Sequence, residues 1–352
     1  MIRARIVGAG GYGGVGIAEL LLRHPEVELV GLADVADVGK SLSDLYPHLA
    51  GFCDLPIRSY ETPEGRAPAD VVFFATPDGV AMRHAAAELE AGARVIDFSG
   101  DFRFGTAAAY ADYATRAGLA PEHQAPELLD RCAYGLAELG DARLGAETEV
   151  VGNAGCFAAS ALLGLAPAVA LGLVNPARLV CDAKTGVSGA GKKPAPGFHY
   201  PARYENMNAY KLAGHQHVCE IEQQLERLGG QPARLTFTAQ VVPMCRGILS
   251  CLYGELREGT RREAVLEAYR EWHRDHPFVR IFDRSAAVGT AHVRGSNYGN
   301  LIVDADERTG LLRVVSHIDN LVKGQSGNAV QNMNVLFGLP QTTGLDRPGT
   351  LP

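Results

Sequence analysis

The chain has 352 residues, of which 47% are hydrophobic and 21% are charged, and its formal net charge is -7. These values are typical of a globular protein with two domains and exclude a disordered chain. No block of like charges occurs, which argues against a nucleic-acid partner or a membrane partner. The longest apolar run, residues 157–174, is interrupted by Pro167 and fits a helix of a soluble domain better than a membrane span. Seven cysteines without a CxxC pair predict reduced thiols and a cytoplasmic location.

The first hundred residues alternate between predicted strands and helices. In chain order we predict a strand at 3–7, a helix at 15–23, strands at 27–32 and 70–75, a helix at 80–91 and a strand at 94–98. Such alternation predicts an α/β fold with a doubly wound parallel sheet. We place this dinucleotide-binding domain at residues 1–152 and expect a C-terminal helix within 320–352 to pack back on it.

The pattern changes after residue 152. Strands are predicted at 178–184, 235–242, 247–256, 300–304 and 312–317, a helix at 261–273 and another at 327–337. Strands that cluster with few intervening helices are typical of an α+β domain with a mixed, largely antiparallel sheet. We assign residues 153–319 to this second domain, which would carry the catalytic and substrate sites.

A glycine-rich loop, GAGGYGG at residues 8–14, lies between the first strand and the first helix. Glycines let the backbone approach a pyrophosphate, and the following helix N-terminus attracts its negative charge. The alternative is a tight turn without a ligand. Asp34 lies 20 residues after Gly14, where a carboxylate would bind a ribose 2′-hydroxyl and repel a 2′-phosphate. Because Lys40 is the nearest cation, the local chemistry favours NAD(H).

The segment 152–157 reads GNAGCF and places Cys156 at a predicted helix start. Unpaired backbone N–H groups and the helix dipole favour a negative charge there, so a thiol at this position loses its proton more easily. The thiolate is the nucleophilic form of cysteine. The alternative is a small cysteine buried in the core.

Two histidines precede an amphipathic helix whose apolar residues are Val218, Ile221, Leu225 and Leu228. His217 falls at the start of this helix, where the dipole favours the neutral imidazole needed in a general base. Alternatives are a solvent-facing or capping histidine pair, or a metal site with Cys219. The metal site lacks a fourth ligand at suitable spacing, and we predict no metal.

Seven segments together resemble the N-acetyl-gamma-glutamyl-phosphate reductase family, the acyl-phosphate reductases of arginine biosynthesis. They are 97–103 (DFSGDFR), 152–156 (GNAGC), 185–191 (TGVSGAG), 215–221 (HQHVCEI), 243–248 (PMCRGI), 295–298 (GSNY) and 318–324 (IDNLVKG). The similarity follows the chain order over nearly its whole length. It implies a Rossmann-type domain followed by an α+β catalytic and dimerisation domain. It also implies NADP(H) as cofactor, with NAD(H) as the second choice, a small-molecule acyl phosphate as substrate, and a homodimer or homotetramer.

The resemblance also implies roles for individual residues. Cys156 corresponds to the nucleophile, His217 to the acid–base group and His215 to a residue that orients or binds the substrate. Implied cofactor contacts are Gly8, Gly10, Gly11, Tyr12, Gly13, Gly14, Asp34, Thr76, Ser188, Gly189 and Asn320. Implied substrate contacts are Ser99, Arg103, Asn153 and Arg246. The product would be N-acetylglutamate 5-semialdehyde, formed through a cysteine thioester.

Two segments depart from the family pattern. Ala154 replaces a common proline, and Asp34-Val35 replaces a frequent Ser-Arg pair, which removes the usual cation for a 2′-phosphate. The alternative functions are a carrier-linked aminoadipyl-phosphate reductase of lysine biosynthesis, an aspartate-semialdehyde dehydrogenase and a regulatory dinucleotide-binding protein without turnover. Alkylation of Cys156 separates an enzyme from such a regulator, because only the enzyme would lose hydride transfer.

Overall fold

The computed structural model describes residues 1–351, which form two compact units. The first unit comprises Met1–Ala114, Ala120–Gly155 and Gln325–Asp346. The second comprises Thr115–Leu119, Cys156–Gly324 and the described chain from Arg347 onward. Within residues 1–351, no helix combines the length and the apolar character needed to cross a membrane.

The chain up to residue 155 supplies seven strands and four helices. They are β1 (Ile2–Val7), α1 (Tyr12–Leu21), β2 (Val27–Ala33), α2 (Leu42–Leu45), β3 (Ile57–Arg58), β4 (Val71–Phe74), α3 (Ala81–Glu90), β5 (Arg94–Asp97), α4 (Ala107–Ala117), β6 (Cys132–Gly135) and β7 (Val150–Asn153). The strands form one sheet in the order β3-β2-β1-β4-β5-β7-β6, and every neighbouring pair is parallel. The predicted doubly wound parallel sheet is therefore confirmed.

The strand order in this sheet reverses between β1 and β4. Crevices at such reversals, beyond the carboxyl ends of the strands, are where α/β proteins bind ligands. The continuous apolar sequence of β4 reflects its central position, since all four residues are buried. The glycine loop follows β1 directly and so begins at this crevice.

The chain from Cys156 onward supplies the remaining elements. They are α5 (Cys156–Ala170), β8 (Val174–Thr185), α6 (Tyr200–Arg203), β9 (Asn208–Tyr210), α7 (His217–Gly229), β10 (Leu235–Val241), β11 (Ile248–Leu256), α8 (Arg262–Trp272), β12 (Val279–Phe282), β13 (Gly299–Asp306), β14 (Leu311–Ile318), a π-helical turn (Val322–Ser326) and α9 (Gly327–Leu336). Helix α9 lies in the first unit, where it packs against α1.

The second unit contains a seven-stranded sheet in the order β12-β13-β14-β11-β8-β10-β9. Strand β8 pairs in parallel with β10 and antiparallel with β11, so the predicted mixed sheet is confirmed. Nearly every residue of α5 is buried, because this helix packs on β8, β11 and β14 and also against α7. That environment explains why its sequence is apolar on all sides.

Most predicted elements are present with small shifts at their ends, and two differences concern the sites. Helix α1 begins at Tyr12 rather than at residue 15, because Gly11 acts as its N-cap and Gly13 and Gly14 lie within the helix. Strand β7, which leads to Cys156, was not predicted as an element. Its four residues are too short a run for a periodicity signal.

Candidate active site

Cys156 is the first residue of α5, as predicted. Ala154 and Gly155 separate it from the end of β7. Its side chain is partly exposed, whereas Cys181 on the neighbouring β8 is buried. The thiol therefore combines access from solvent with a position beside the unpaired N–H groups of a helix start.

The backbone at Gly324 lies directly against this cysteine. A Cβ added to Gly324 would lie 2.8 Å from the Cβ of Cys156 and 3.2 Å from its Cα. The N–H of Gly324 donates to the carbonyl oxygen of Asp319 (2.9 Å), which holds the segment in place. Sequence reasoning missed this contact; the only signal was that Gly324 ends one of the matched segments.

His217 is the first residue of α7, which confirms its predicted place at a helix start. The ring centroids of His215 and His217 are 4.9 Å apart. Both rings have edge contacts with the ring of Phe157, with centroid distances of 5.5 Å for His215 and 6.1 Å for His217. Since Phe157 follows Cys156 in the chain, the histidine pair lies beside the start of α5. Both histidines are buried.

His215 is held in one neutral form. The backbone N–H of His217 donates to its Nδ1 (3.2 Å), so the ring proton belongs on Nε2. Burial lowers the pKa of His215 to about 2, and the charges of His217 and Lys211 act in the same direction. At neutral pH His215 can donate a hydrogen bond but cannot act as a cationic acid.

A cavity of about 430 Å³ opens beside these residues within the second unit. Cys156, Phe157, His215 and His217 lie on its wall. The loop after β8 contributes Thr185, Gly186, Val187, Gly189 and Ala190, and the segment before α7 contributes Arg203, Asn208, Tyr210 and Lys211. A cysteine, two histidines and a loop backbone thus line one space large enough for a small substrate.

Asn320 links the loop after β8 to the start of β11. Asn320 accepts the N–H of Gly247 (2.7 Å) and donates to the hydroxyl of Ser188 (3.0 Å). Arg246 forms an ion pair with the buried Asp319 (3.0 Å). Gly189 lies on the cavity wall, but the predicted cofactor contacts of Ser188 and Asn320 and the substrate contact of Arg246 stay predictions.

In the first unit the glycines of the loop after β1 allow a tight turn into α1. Gly8 has a φ of +84°, and a Cβ there would lie 2.4 Å from the carbonyl oxygen of Ala75. A Cβ on Gly14 would lie 2.2 Å from the carbonyl oxygen of Gly8. The hydroxyl oxygen of Thr76, next to Ala75, is buried and has no hydrogen-bond partner among the described residues. The two glycines thus let one backbone segment pack closely on another. The loop ends at the N-terminus of α1, a position that suits the predicted pyrophosphate of a dinucleotide.

Asp34 directs its carboxylate toward backbone N–H groups. Its Oδ2 accepts from Gly10 (2.9 Å), and its Oδ1 accepts from Val35 (2.7 Å) and Ala36 (3.1 Å). The amino group of Lys40, the cation considered from the sequence, pairs instead with Asp37 (2.8 Å). Asp34 therefore occupies donors that a 2′-phosphate at this position would need.

The other predicted substrate residues have partners within the first unit. The hydroxyl of Ser99 donates to Asp97 (2.7 Å). The guanidinium of Arg103 is buried and donates to the carbonyl oxygens of Asn153 (2.8 Å) and Phe98 (2.7 Å). The side chain of Asn153 accepts from two asparagines of α9. These contacts join β5, β7 and α9, and the substrate roles stay predictions.

Two family models match consecutive parts of the chain. The NAD binding domain of semialdehyde dehydrogenase matches residues 3–145, and the semialdehyde dehydrogenase dimerisation domain matches residues 156–320. The N-acetyl-gamma-glutamyl-phosphate reductase of Desulforudis audaxviator is 42% identical over 353 residues and is covered completely, as is this chain. The reductase of the same name from Symbiobacterium thermophilum is 42% identical, with 99% of this chain and 98% of the relative covered.

Solved structures of lower identity share the fold. Aspartate semialdehyde dehydrogenase II from Vibrio cholerae, complexed with ASA, has a TM-score of 0.70 at 17% identity and covers 96% of this chain and 98% of its own. The Candida albicans enzyme with NADP has a TM-score of 0.66 at 16% identity, with the same coverage. The chain therefore belongs to the semialdehyde dehydrogenase family, and along its whole length it is similar to N-acetyl-gamma-glutamyl-phosphate reductases.

Proposed function

We propose that this protein reduces N-acetyl-γ-glutamyl phosphate to N-acetylglutamate 5-semialdehyde and phosphate, with NADPH as the electron donor. The observation that carries the proposal is the cavity where Cys156, at the start of α5, faces the histidine pair at the start of α7. Whole-length identity of 42% to reductases named for this reaction supports the choice of substrate.

The first unit would hold the nucleotide, with its pyrophosphate at the glycine loop and the N-terminus of α1, near the unpaired hydroxyl of Thr76. When bound, it supplies the hydride that reduces the acyl group. Because Asp34 occupies the amides of Val35 and Ala36, we expect NADPH to be used with weak discrimination against NADH.

The chain's own residues carry the covalent chemistry. The thiolate of Cys156 attacks the acyl carbon, a C–S bond forms, and the C–O bond to phosphate breaks. His217 takes the thiol proton and gives it to the departing phosphate. After the acyl group is reduced, the C–S bond breaks, which releases the aldehyde and restores the thiolate. The N–H groups at the start of α5 stabilise the oxyanion of each tetrahedral intermediate, a contribution of about 3 kcal/mol per donor in other enzymes. Neutral His215 donates from Nε2 and orients the acyl group.

The reverse reaction tests this function directly. Purified protein is assayed with phosphate, NADP⁺ and either N-acetylglutamate 5-semialdehyde or its homologue with one additional carbon. We expect kcat/KM to favour the shorter aldehyde by at least about tenfold, because one methylene changes binding by roughly 1–3 kcal/mol. A preference for the longer aldehyde, or activity on aspartate semialdehyde alone, would contradict the proposal.

We further propose a homo-oligomer, either a dimer or a tetramer, in the cytoplasm. The match to a dimerisation domain over residues 156–320 supports self-association. Light scattering at several protein concentrations distinguishes the two sizes, and a monomer at all concentrations would contradict both.

A further inference from the structure

We propose that Arg203 and Lys211 form an anion subsite that binds the free carboxylate of the acyl substrate and disfavours substrates with a free ammonium group. The inference deepens the proposed function and rests on it, because it assigns residues to a part of the substrate distant from the reacting carbon. Neither residue belongs to the seven short segments on which the resemblance to the reductases was first based.

Arg203 brings a buried positive charge to the cavity without an acidic partner. Its guanidinium donates to the carbonyl oxygens of Gly197 (3.0 Å), Asn206 (3.2 Å) and Val241 (3.4 Å) and to the side-chain oxygen of Asn208 (2.9 Å). All four acceptors are neutral. The Nε–H also donates to Gly197 (3.3 Å), so these contacts use all five N–H donors of the guanidinium. They fix its orientation but leave its charge uncompensated, and a buried positive charge attracts an anion.

Lys211 adds a second cation to the same wall. Its Nζ donates to the side chain of Gln216 (2.8 Å), which leaves two of its three N–H donors for a ligand. Its φ of +49° lies in the left-handed region, which is unfavourable for lysine. Such local strain occurs often at binding sites, where the surrounding structure maintains it.

No carboxylate on the cavity wall offsets these two cations. Among the wall residues in the described chain there is no aspartate or glutamate, and His215 is neutral. With the acyl carbon at Cys156, the remainder of a short substrate extends into this cationic space. A free carboxylate gains charge-assisted hydrogen bonds from Lys211 and electrostatic attraction from Arg203, whereas a free ammonium is repelled. The cavity therefore selects acyl phosphates with a carboxylate and a blocked amino group.

The test compares two aldehydes in the reverse assay with phosphate and NADP⁺. One is N-acetylglutamate 5-semialdehyde, and the other carries a carboxamide in place of its α-carboxylate. We expect wild-type kcat/KM to favour the carboxylate by about 10–100-fold, the range of hydrogen bonds to charged groups. In Lys211→Gln the ratio of kcat/KM for the carboxylate to kcat/KM for the carboxamide should fall below about threefold. The substitution should lower kcat/KM for the carboxylate more than kcat/KM for the carboxamide.

Lys193→Gln is the matched control, because Lys193 is exposed and is not on the cavity wall. It should keep the wild-type ratio. Arg203→Gln should also lower the ratio. Because both aldehydes are measured with the same preparation of a variant, the ratio does not depend on how much of that protein is folded. An active wild type whose ratio is unchanged in both Lys211→Gln and Arg203→Gln would overturn the subsite. A wild type that is inactive on the carboxylate would refute the proposed function, and the subsite with it.

Discussion

At the residue scale, the two active-site histidines have different environments. His215 accepts a backbone N–H at Nδ1, and burial lowers its pKa to about 2, so it remains neutral. His217 begins α7 beside it and contacts the residue that follows the nucleophile. This difference supports the proposed roles, proton transfer for His217 and orientation of the acyl group for His215.

We predict that His217→Asn lowers kcat by about 10²–10⁴-fold, the usual contribution of a general acid or base. His215→Asn should have a smaller effect on kcat and a larger relative effect on KM, because an orienting donor acts on binding as well. Steady-state kinetics of both variants, with circular dichroism to verify folding, provides the comparison. The opposite ranking would exchange the two roles.

Asp34 leads to a prediction about the cofactor. Its carboxylate binds the N–H groups of Gly10, Val35 and Ala36, and a 2′-phosphate would meet this negative charge. The double variant Asp34→Ser, Val35→Arg frees the amides and supplies a cation. It should increase the NADPH preference by roughly 1–3 kcal/mol, the scale of charge-assisted hydrogen bonds.

The measurement is kcat/KM for NADPH and NADH in both forms. The single variant Val35→Arg is the control, because it keeps the carboxylate of Asp34. It should increase the preference for NADPH less than the double variant does. A wild-type preference for NADH above about tenfold, or 1.4 kcal/mol, would contradict the proposed cofactor.

At the element scale, two helices present the chemical groups at their first residues. Helix α5 starts at Cys156 and α7 starts at His217, and the two helices pack against each other. The segment from Asp319 to Gly324 then lies against the start of α5. The position of the nucleophile thus depends on a segment far along the chain as well as on its own helix.

We predict that Gly324→Ala lowers kcat by at least about tenfold. The added methyl would lie 2.8 Å from the Cβ of Cys156, so the backbone of one segment must move, and overpacking of this kind costs roughly 1–3 kcal/mol. Gly145→Ala is the control, because no atom lies within 4 Å of its added Cβ. If Gly324→Ala had a normal kcat and an unchanged thermal stability, the close approach of Gly324 to Cys156 would have no role in catalysis.

At the scale of the whole molecule, local patterns predicted the two sheet types and both helix starts. The cysteine and histidine positions could be predicted because capping and amphipathic spacing act over a few residues. Sequence patterns could not predict the contact of Gly324 with Cys156 or the neutral surroundings of Arg203, because these contacts join segments that are distant in sequence. The partners of Arg103 and Asn153 were unpredictable for the same reason.

We also predict that activity needs no metal ion. Within residues 1–351, no group of three or more His, Cys, Asp or Glu side chains has an arrangement that could hold one. Protein dialysed against EDTA should keep its full kcat, with metal content measured by mass spectrometry. Stoichiometric zinc, together with lost activity that zinc restores, would contradict this.

The central claim is a covalent thioester at Cys156, and single-turnover oxidation tests it most directly. Enzyme mixed with N-acetylglutamate 5-semialdehyde and NADP⁺, without phosphate, should give a burst of about one NADPH per active site, and intact mass should show the acyl group on Cys156. Cys156→Ser should bind the cofactor normally but give neither burst nor acyl adduct. If Cys156→Ser kept more than about a tenth of the wild-type kcat, a barrier change below about 1.4 kcal/mol, the covalent mechanism would be wrong.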